Sequence, residues 1–318
     1  MDDPAKNGSF VFIVGSPRSG TTVFGELLDK HPQLSQWYEP YFVWDRYFRL
    51  VPHDERAAAD ATARVKDQIF GDFDRFRKNK KCLVLIDKSP RNSLKIPFIL
   101  KIFPRARIVH LLRDGRDVTL SIHKEWQRRR RIVNDPYRQG QFNYMKALDV
   151  LKKFLARQTS MQDKLRALWF ETHGHFLNKT QQLNRLRWQG EIGWGPRFKN
   201  WQDLYSQTSL LQFNAHQWRA CVTCIRRDWD LIQPENRLTI RYEELITNPE
   251  TKINEILEFI GVKSSPEFMA SLPVLKADNY DKWKREFSKS QLKEIYSILT
   301  PQLLELGYAG SEEWLNQN

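Results

Sequence analysis

Phe10-Val-Phe-Ile-Val-Gly15-Ser-Pro-Arg18-Ser19-Gly20-Thr21-Thr22 is an apolar run that ends in a glycine-containing turn and opens onto a helical pattern. Residues 10–15 have the composition of a strand buried on both faces, and Thr22–Lys30 continues with helical periodicity. In such a strand–turn–helix loop the backbone N–H groups converge on an anion, and the helix N-terminus adds partial positive charge. The spacing G-x4-G-x-T mimics the phosphate loop G-x4-G-K-[ST]. Thr21 stands where that loop has its lysine, and the local cation is Arg18, three residues earlier. Nucleotide hydrolysis uses that lysine on the β/γ-phosphates, so the loop predicts anion binding without ATPase chemistry. A plain turn would not require Arg, Ser and two Thr beside its glycines.

Working outward, residues 54–77 read as a helix, 82–87 (CLVLID) as a second buried strand, and 92–102 as the next helix. Residues 106–112 (ARIVHLL) form a third strand, with a helix from Gly115, and 237–242 (RLTIRY) a fourth. Asn248-Pro249 supplies an N-cap and first-turn proline for a helix running to Ile260. This alternation predicts an α/β chain of the P-loop type, with three layers and a parallel sheet flanked by helices. Asp87-Lys88-Ser89-Pro90 lies just past the second strand, and Arg113-Asp-Gly-Arg-Asp117 just past the third. Ligands in open α/β sheets sit beyond the carboxyl ends of the strands. Arg18, Lys88 and Arg113 are therefore expected to converge, with Ser121 on the following helix able to donate to the anion that Arg113 pairs.

The chain has 318 residues, with 51 Lys+Arg against 38 Asp+Glu for a net charge of +13. Residues 121–230 hold 20 Lys+Arg, 9 Asp+Glu and seven of the eleven tryptophans, so the charge excess sits in this block. It reads as helical over 145–170 and 210–232, with a loop at Trp194-Gly-Pro196. The whole chain is expected to be one domain, with 126–230 a basic, Trp-rich helical insertion that shapes a substrate site. Three cysteines cannot build a disulfide framework, and Cys221-Val-Thr-Cys224 lies in a helical run with no second metal-ligand pair; no metal is expected. No apolar stretch approaches the roughly 20 residues that span a bilayer, and the acidic start Met1-Asp-Asp-Pro is unlike a signal peptide. The expectation is a soluble, cytoplasmic protein.

GSPRSGTT, followed by DKSP and then LLRDGRDVTLS, resembles the sulfotransferases that use 3′-phosphoadenosine-5′-phosphosulfate (PAPS). The resemblance covers residues 8–125 and 237–308. Leu28-Asp-Lys-His31-Pro32, the glutamate that follows it, Asp281-Lys-Trp283 and Leu306-Gly-Tyr308 are most similar to the tyrosylprotein-sulfotransferase-like branch. The resemblance implies that Arg18, Ser19, Gly20, Thr21 and Thr22 hold the 5′-phosphosulfate. It implies that Arg113 and Ser121 hold the 3′-phosphate, that Tyr242 lies near the nucleotide, and that Lys276 closes over it. Glu39 falls where that branch has its catalytic carboxylate, and Lys88 where it has a lysine contacting the transferring group. Two features depart from the pattern: block 126–230 has no counterpart, and Glu125 stands where an arginine is expected.

The implied chemistry is in-line transfer of a sulfuryl group from PAPS to a hydroxyl, with an amine the second choice. Arg18 and Lys88 would stabilise the leaving oxygen, and Glu39 would take the acceptor proton. His53 and His123 are rival bases, whereas His31 and His110 read as structural. The acceptor is expected to be a glycan, a peptide or a small metabolite, with anionic ones favoured by the basic insertion. Two other readings compete. A P-loop kinase or NTPase would use Val84-Leu-Ile-Asp87 as its metal-binding strand. A nucleic-acid-binding protein would use Arg128-Arg-Arg-Arg131 and the interleaved aromatics.

Overall fold

In the computed structural model five parallel strands form one sheet in the order β2-β3-β1-β4-β5. They are β1 (Phe10–Val14), β2 (Leu34–Tyr38), β3 (Val84–Lys88), β4 (Arg107–Leu112) and β5 (Arg237–Arg241). The structure describes residues 9–134, 188, 193–273 and 280–317. Four of these strands match the expected ones. The fifth, β2, is an added edge strand whose sequence, LSQWY, alternates too little to stand out, and it pairs along β3 from Leu34↔Val84 to Tyr38↔Lys88. Central β1 is apolar throughout because both its faces are covered: Phe10, Phe12 and Val14 enter one core cluster and Val11 and Ile13 another.

Helix α1 (Thr21–Leu28) follows β1, the short α2 (Tyr41–Trp44) follows β2, and α3 (Ala63–Lys80) precedes β3. The helix expected from residue 54 thus starts at Ala63, because Asp54 is buried in an ion pair with Arg197 and the segment to Thr62 holds only a 3-10 turn at Ala58–Asp60. Helix α4 (Ile96–Ile102) leads to β4, and α5 (Gly115–Asn134) leaves it. Next come α6 (Trp201–Gln207) and α7 (Leu210–Asp228), the latter ending in a 3-10 turn at Trp229–Leu231. After β5 come α8 (Tyr242–Thr247), α9 (Pro249–Ile260), α10 (Pro266–Ala270), α11 (Trp283–Glu286) and α12 (Lys289–Glu305). Asn248 does precede α9, but its side chain makes no capping bond there.

The tryptophans of the basic block belong largely to the core. Trp126, Trp188, Trp201 and Trp218 are buried, with Trp188 4.6 Å from Trp201 and 5.3 Å from Trp126 between ring centroids. This packing removes four rings from any stacking role in nucleic-acid or acceptor binding. The helix expected over 145–170 lies outside the described residues. Cys221 and Cys224 are buried on α7, and burial pushes both thiols up.

Chain order in the sheet reverses around β1, with β3 on one side and β4 on the other. The loops leaving β1, β3 and β4 therefore share one crevice at their carboxyl ends.

Candidate active site

The loop after β1 is shaped by two backbone positions in the left-handed region, Arg18 at φ 69° and Gly20 at φ 96°. A Cβ at Gly20 would come within 2.4 Å of Tyr242 Cε2, so glycine is what fits between loop and ring. Ser93 pins the loop from outside: its Oγ accepts from Gly15 N–H and donates to Gly15 C=O, both at 2.9 Å. Ser19 Oγ donates to Ser16 C=O at 2.7 Å. Gly20 is also the N-cap of α1 and brings no capping side chain, so the first-turn amides open onto the crevice.

One side of the loop carries Arg18, Ser121, Arg113 and Tyr242. Arg18 is exposed, and its Nε donates to Ser121 Oγ at 3.0 Å. Arg113 Nη1 donates to Arg18 C=O at 3.2 Å, and its guanidinium lies 4.3 Å from the centre of the Tyr242 ring. Asp117 stands 3.7 Å from Arg113 and accepts from the N–H groups of Asp281 and Trp283 at 2.7 and 3.0 Å. The expected site residue Lys276 lies outside the described residues.

The other side carries Lys88, Thr22 and Glu39. Lys88 ends β3 with its side chain 1% exposed. Its Nζ donates to Glu39 Oε1 at 2.7 Å and to Thr22 Oγ1 at 2.9 Å, and stands 4.2 Å from the Tyr38 ring centre. The Glu39 side chain, 26% exposed, keeps an open side. Its backbone is left-handed at φ 44°, and its C=O accepts from Tyr41 N–H at 2.7 Å. Arg91 secures the segment that follows, pairing with Asp45 at 2.9 Å and lying over the Tyr41 ring at 4.1 Å. Burial, then the Glu39 charge, pushes the Tyr41 phenol well above its ordinary value.

Strand pleat separates Asp87 from Lys88. Asp87 faces the opposite side of the sheet, fully buried, and accepts from Trp44 Nε1 at 2.7 Å, Asn92 Nδ2 at 2.9 Å and Ser89 Oγ at 2.5 Å. That carboxylate is committed to the core and does not face the loop, which is where a kinase or NTPase would need it. Among the described residues no group of three or more His, Cys, Asp and Glu could hold a metal ion.

The rival base His123 is engaged elsewhere. His123 meets Asn214 at 3.1 Å and Gln127 at 2.9 Å, and burial lowers the pKa values of both His53 and His123. Among the described residues no hydrogen bond joins either to Lys88, Glu39 or the loop. His31 Nε2 lies 3.0 Å from Lys263 C=O, a packing role as expected.

Glu125, the residue standing in place of an expected arginine, is held by two others. Arg128 Nη2 and Arg129 Nε reach its Oε1 at 2.7 and 2.6 Å. Burial works to raise the carboxyl pKa, but these bonds bring it below the ordinary value, so it stays ionised. Arg129 belongs to the run Arg128–Arg131, and its bond to Glu125 follows the spacing of four residues along α5.

Residues 10–173 and 196–266 match the family model described as "Sulfotransferase family". The chain belongs to the sulfotransferase family. Among curated proteins this sulfotransferase is 27% identical over 130 residues to nodulation protein NoeE of Sinorhizobium fredii, a match covering 36% of this chain and 31% of that one. It is 26% identical over 133 residues to protein-tyrosine sulfotransferase A of Caenorhabditis elegans, covering 37% and 33%. The matches thus span about a third of the length of these curated relatives. Among solved structures, the sulfotransferase domain from the curacin biosynthetic pathway superposes with a TM-score of 0.50 at 16% identity, covering 91% of this chain and 96% of that one. That likeness is one of fold. Among the described residues no helix is long and apolar enough to cross a membrane.

Proposed function

We propose that this sulfotransferase moves a sulfuryl group from PAPS to an acceptor hydroxyl, or less readily to an amine, with Glu39 as general base. The observation that carries the reading is Lys88 Nζ held between Glu39 Oε1 and Thr22 Oγ1 at the mouth of the anion loop. Bound PAPS would supply the sulfuryl group on a phosphate leaving group.

The residues suit such a donor. A glycine-tight loop, an uncapped helix N-terminus and the cations Arg18, Lys88 and Arg113 surround the crevice, enough positive charge for two phosphates without a metal. Arg113 and Ser121 would take the 3′-phosphate, Tyr242 would lie near the nucleotide, and residues 18–22 would cradle the 5′-phosphosulfate. Lys276 would close the site. The buried Lys88 ammonium can donate to an oxygen as negative charge develops on it, a preorganised contribution. Glu39, open on one side, can accept the acceptor's proton.

The 318 residues are read as one sulfotransferase domain, with the block 126–230 on the acceptor side. A screen of glycans, peptides and small hydroxylated metabolites with radiolabelled PAPS tests the reaction. Labelled product that depends on Glu39 and persists in excess chelator is expected. A strict Mg²⁺ requirement would favour kinase chemistry instead.

A further inference from the structure

The turn that follows α12 is bound to both residues that flank Tyr242. Gly307, at φ 71°, ends that helix, and Tyr308 N–H then donates back to Leu303 C=O at 2.8 Å. This sets Tyr308 beside the junction of β5 and α8, where Tyr242 stands between Arg241 and Glu243. Tyr308 Oη donates to Glu243 Oε2 at 3.0 Å. The Arg241 guanidinium lies 4.6 Å from the Tyr308 ring centre, and its Nη2 donates to Leu306 C=O.

The other oxygen of the same carboxylate reaches the loop between β4 and α5. Glu243 Oε1 accepts from the N–H of Asp114, the residue after Arg113, at 3.1 Å. Arg116 closes the circuit: its Nη2 donates to Asp114 Oδ2 at 2.6 Å and to Tyr308 C=O at 2.7 Å. One carboxylate thus ties three segments, and its two anchors in the crevice lie one residue from Arg113 and one from Tyr242, whose ring carries the Arg113 guanidinium. Burial, then the Glu243 charge, pushes the Tyr308 phenol well above its ordinary value, so the hydroxyl stays the donor. Leu306 already packs the turn into the core; what the shared carboxylate adds is a fixed direction for the backbone at residue 114.

We propose that Tyr308 is a positioning residue: through Glu243 it fixes Arg113 in the geometry that recognises a nucleotide 3′-phosphate. The inference rests on the PAPS reading, in which Arg113 takes that phosphate. An arginine selects a phosphate by the direction of its planar fork of donors. A loop held at Asp114 N–H presets that direction for the residue before it, and a preset side chain loses less freedom when the phosphate binds. Tyr308 touches neither phosphate; it acts on one of them through two intervening residues.

The test uses the full chain and two probes that differ only in the 3′-phosphate, adenosine 3′,5′-bisphosphate and adenosine 5′-phosphate, with affinities read by calorimetry. The wild type is expected to favour the bisphosphate by about tenfold or more. Tyr308→Phe keeps the ring and loses only the hydroxyl; it should cut that ratio about fivefold by weakening the bisphosphate alone. Glu243→Ala should cut it further. Glu243→Gln, able to accept from Asp114 N–H and donate to the Tyr308 hydroxyl, should keep most of it. On an Arg113→Ala background Tyr308→Phe should change nothing more, because its effect passes through Arg113. A ratio untouched by Tyr308→Phe, equal losses for both probes, or a full effect without Arg113 overturns this proposal and leaves the donor assignment standing. A wild type that binds both probes alike, or neither, sinks the donor assignment and this proposal with it.

Discussion

Lys88 and Glu39 form an ion pair at 2.7 Å in which the lysine is buried and the glutamate is open on one side. The sheet register makes the pair: Tyr38 lies opposite Lys88 at the ends of β2 and β3, so the residue after β2 meets the last residue of β3. Thr22, at the start of α1, completes the contact. Three elements thus bring an acid, a base and a hydroxyl to one point.

Glu39→Ala should lower sulfuryl transfer about 10²–10⁴-fold, the usual range for a lost general base. Affinity for adenosine 3′,5′-bisphosphate should persist, because Glu39 lies on the Lys88 side of the loop and Arg113 on the other. Transfer rates near those of the wild type would remove Glu39 from the base role.

Gly20→Ala should disable the loop. The substitution strains a backbone at φ 96° and drives a methyl group into the Tyr242 ring. Left-handed strain costs about 1–3 kcal/mol, and displacing Tyr242 would also disturb Arg113 stacked on it. Calorimetry should find bisphosphate binding weakened at least tenfold; unchanged binding would mean the ring yields freely.

His110, buried in β4, should make the fold sensitive to acid. Burial, assisted by Arg226, lowers its pKa to about 3, whereas the unfolded chain titrates near 6.5. Above that value both states are neutral there. As pH falls from about 6.5 towards 3 only the unfolded state takes up the proton, so stability declines by about 1.4 kcal/mol per pH unit. Urea titrations at pH 7 and pH 5 should therefore find that the wild type loses about 2 kcal/mol more than His110→Gln does. An equal loss in both proteins would assign the acid sensitivity to other groups.

The pair Asp54–Arg197 ties the loop before α3 to the segment before α6. Both side chains are 2% exposed and meet at 2.7 Å, with Arg197 N–H donating to the same carboxylate at 2.8 Å. Burial works to raise the Asp54 pKa, but Arg91 and Arg197 hold it far below the usual carboxylate range. Removing one partner of a buried pair costs about 3–5 kcal/mol, so Asp54→Ala should shift urea unfolding by that amount. A change under about 1 kcal/mol is the signature of a solvated pair.

Much of this site was legible in the sequence because parallel strands buried on both faces are apolar runs, and because such strands deliver their ends to one crevice. β1, β3, β4 and β5 are found that way, and Arg113 and Lys88 flank the loop that carries Arg18 and Thr22 from opposite sides. β2 escapes because an edge strand is only partly covered and Ser35, Gln36 and Tyr38 dilute its pattern. The Trp-rich block misleads for the opposite reason: Trp126, Trp188, Trp201 and Trp218 resemble a binding surface by composition and are a core by packing. The pair Asp54–Arg197 joins the loop before α3 to the segment before α6 across the fold, and no local spacing encodes such a contact.

The most direct test of the donor assignment is a thermal-shift comparison of adenosine 3′,5′-bisphosphate with ATP, on the wild type and on Arg113→Ala. The bisphosphate should stabilise the wild type far more than ATP does, and Arg113→Ala should erase that difference. A response to ATP as large as that to the bisphosphate, or a preference that survives Arg113→Ala, would contradict the assignment of the 3′-phosphate to Arg113.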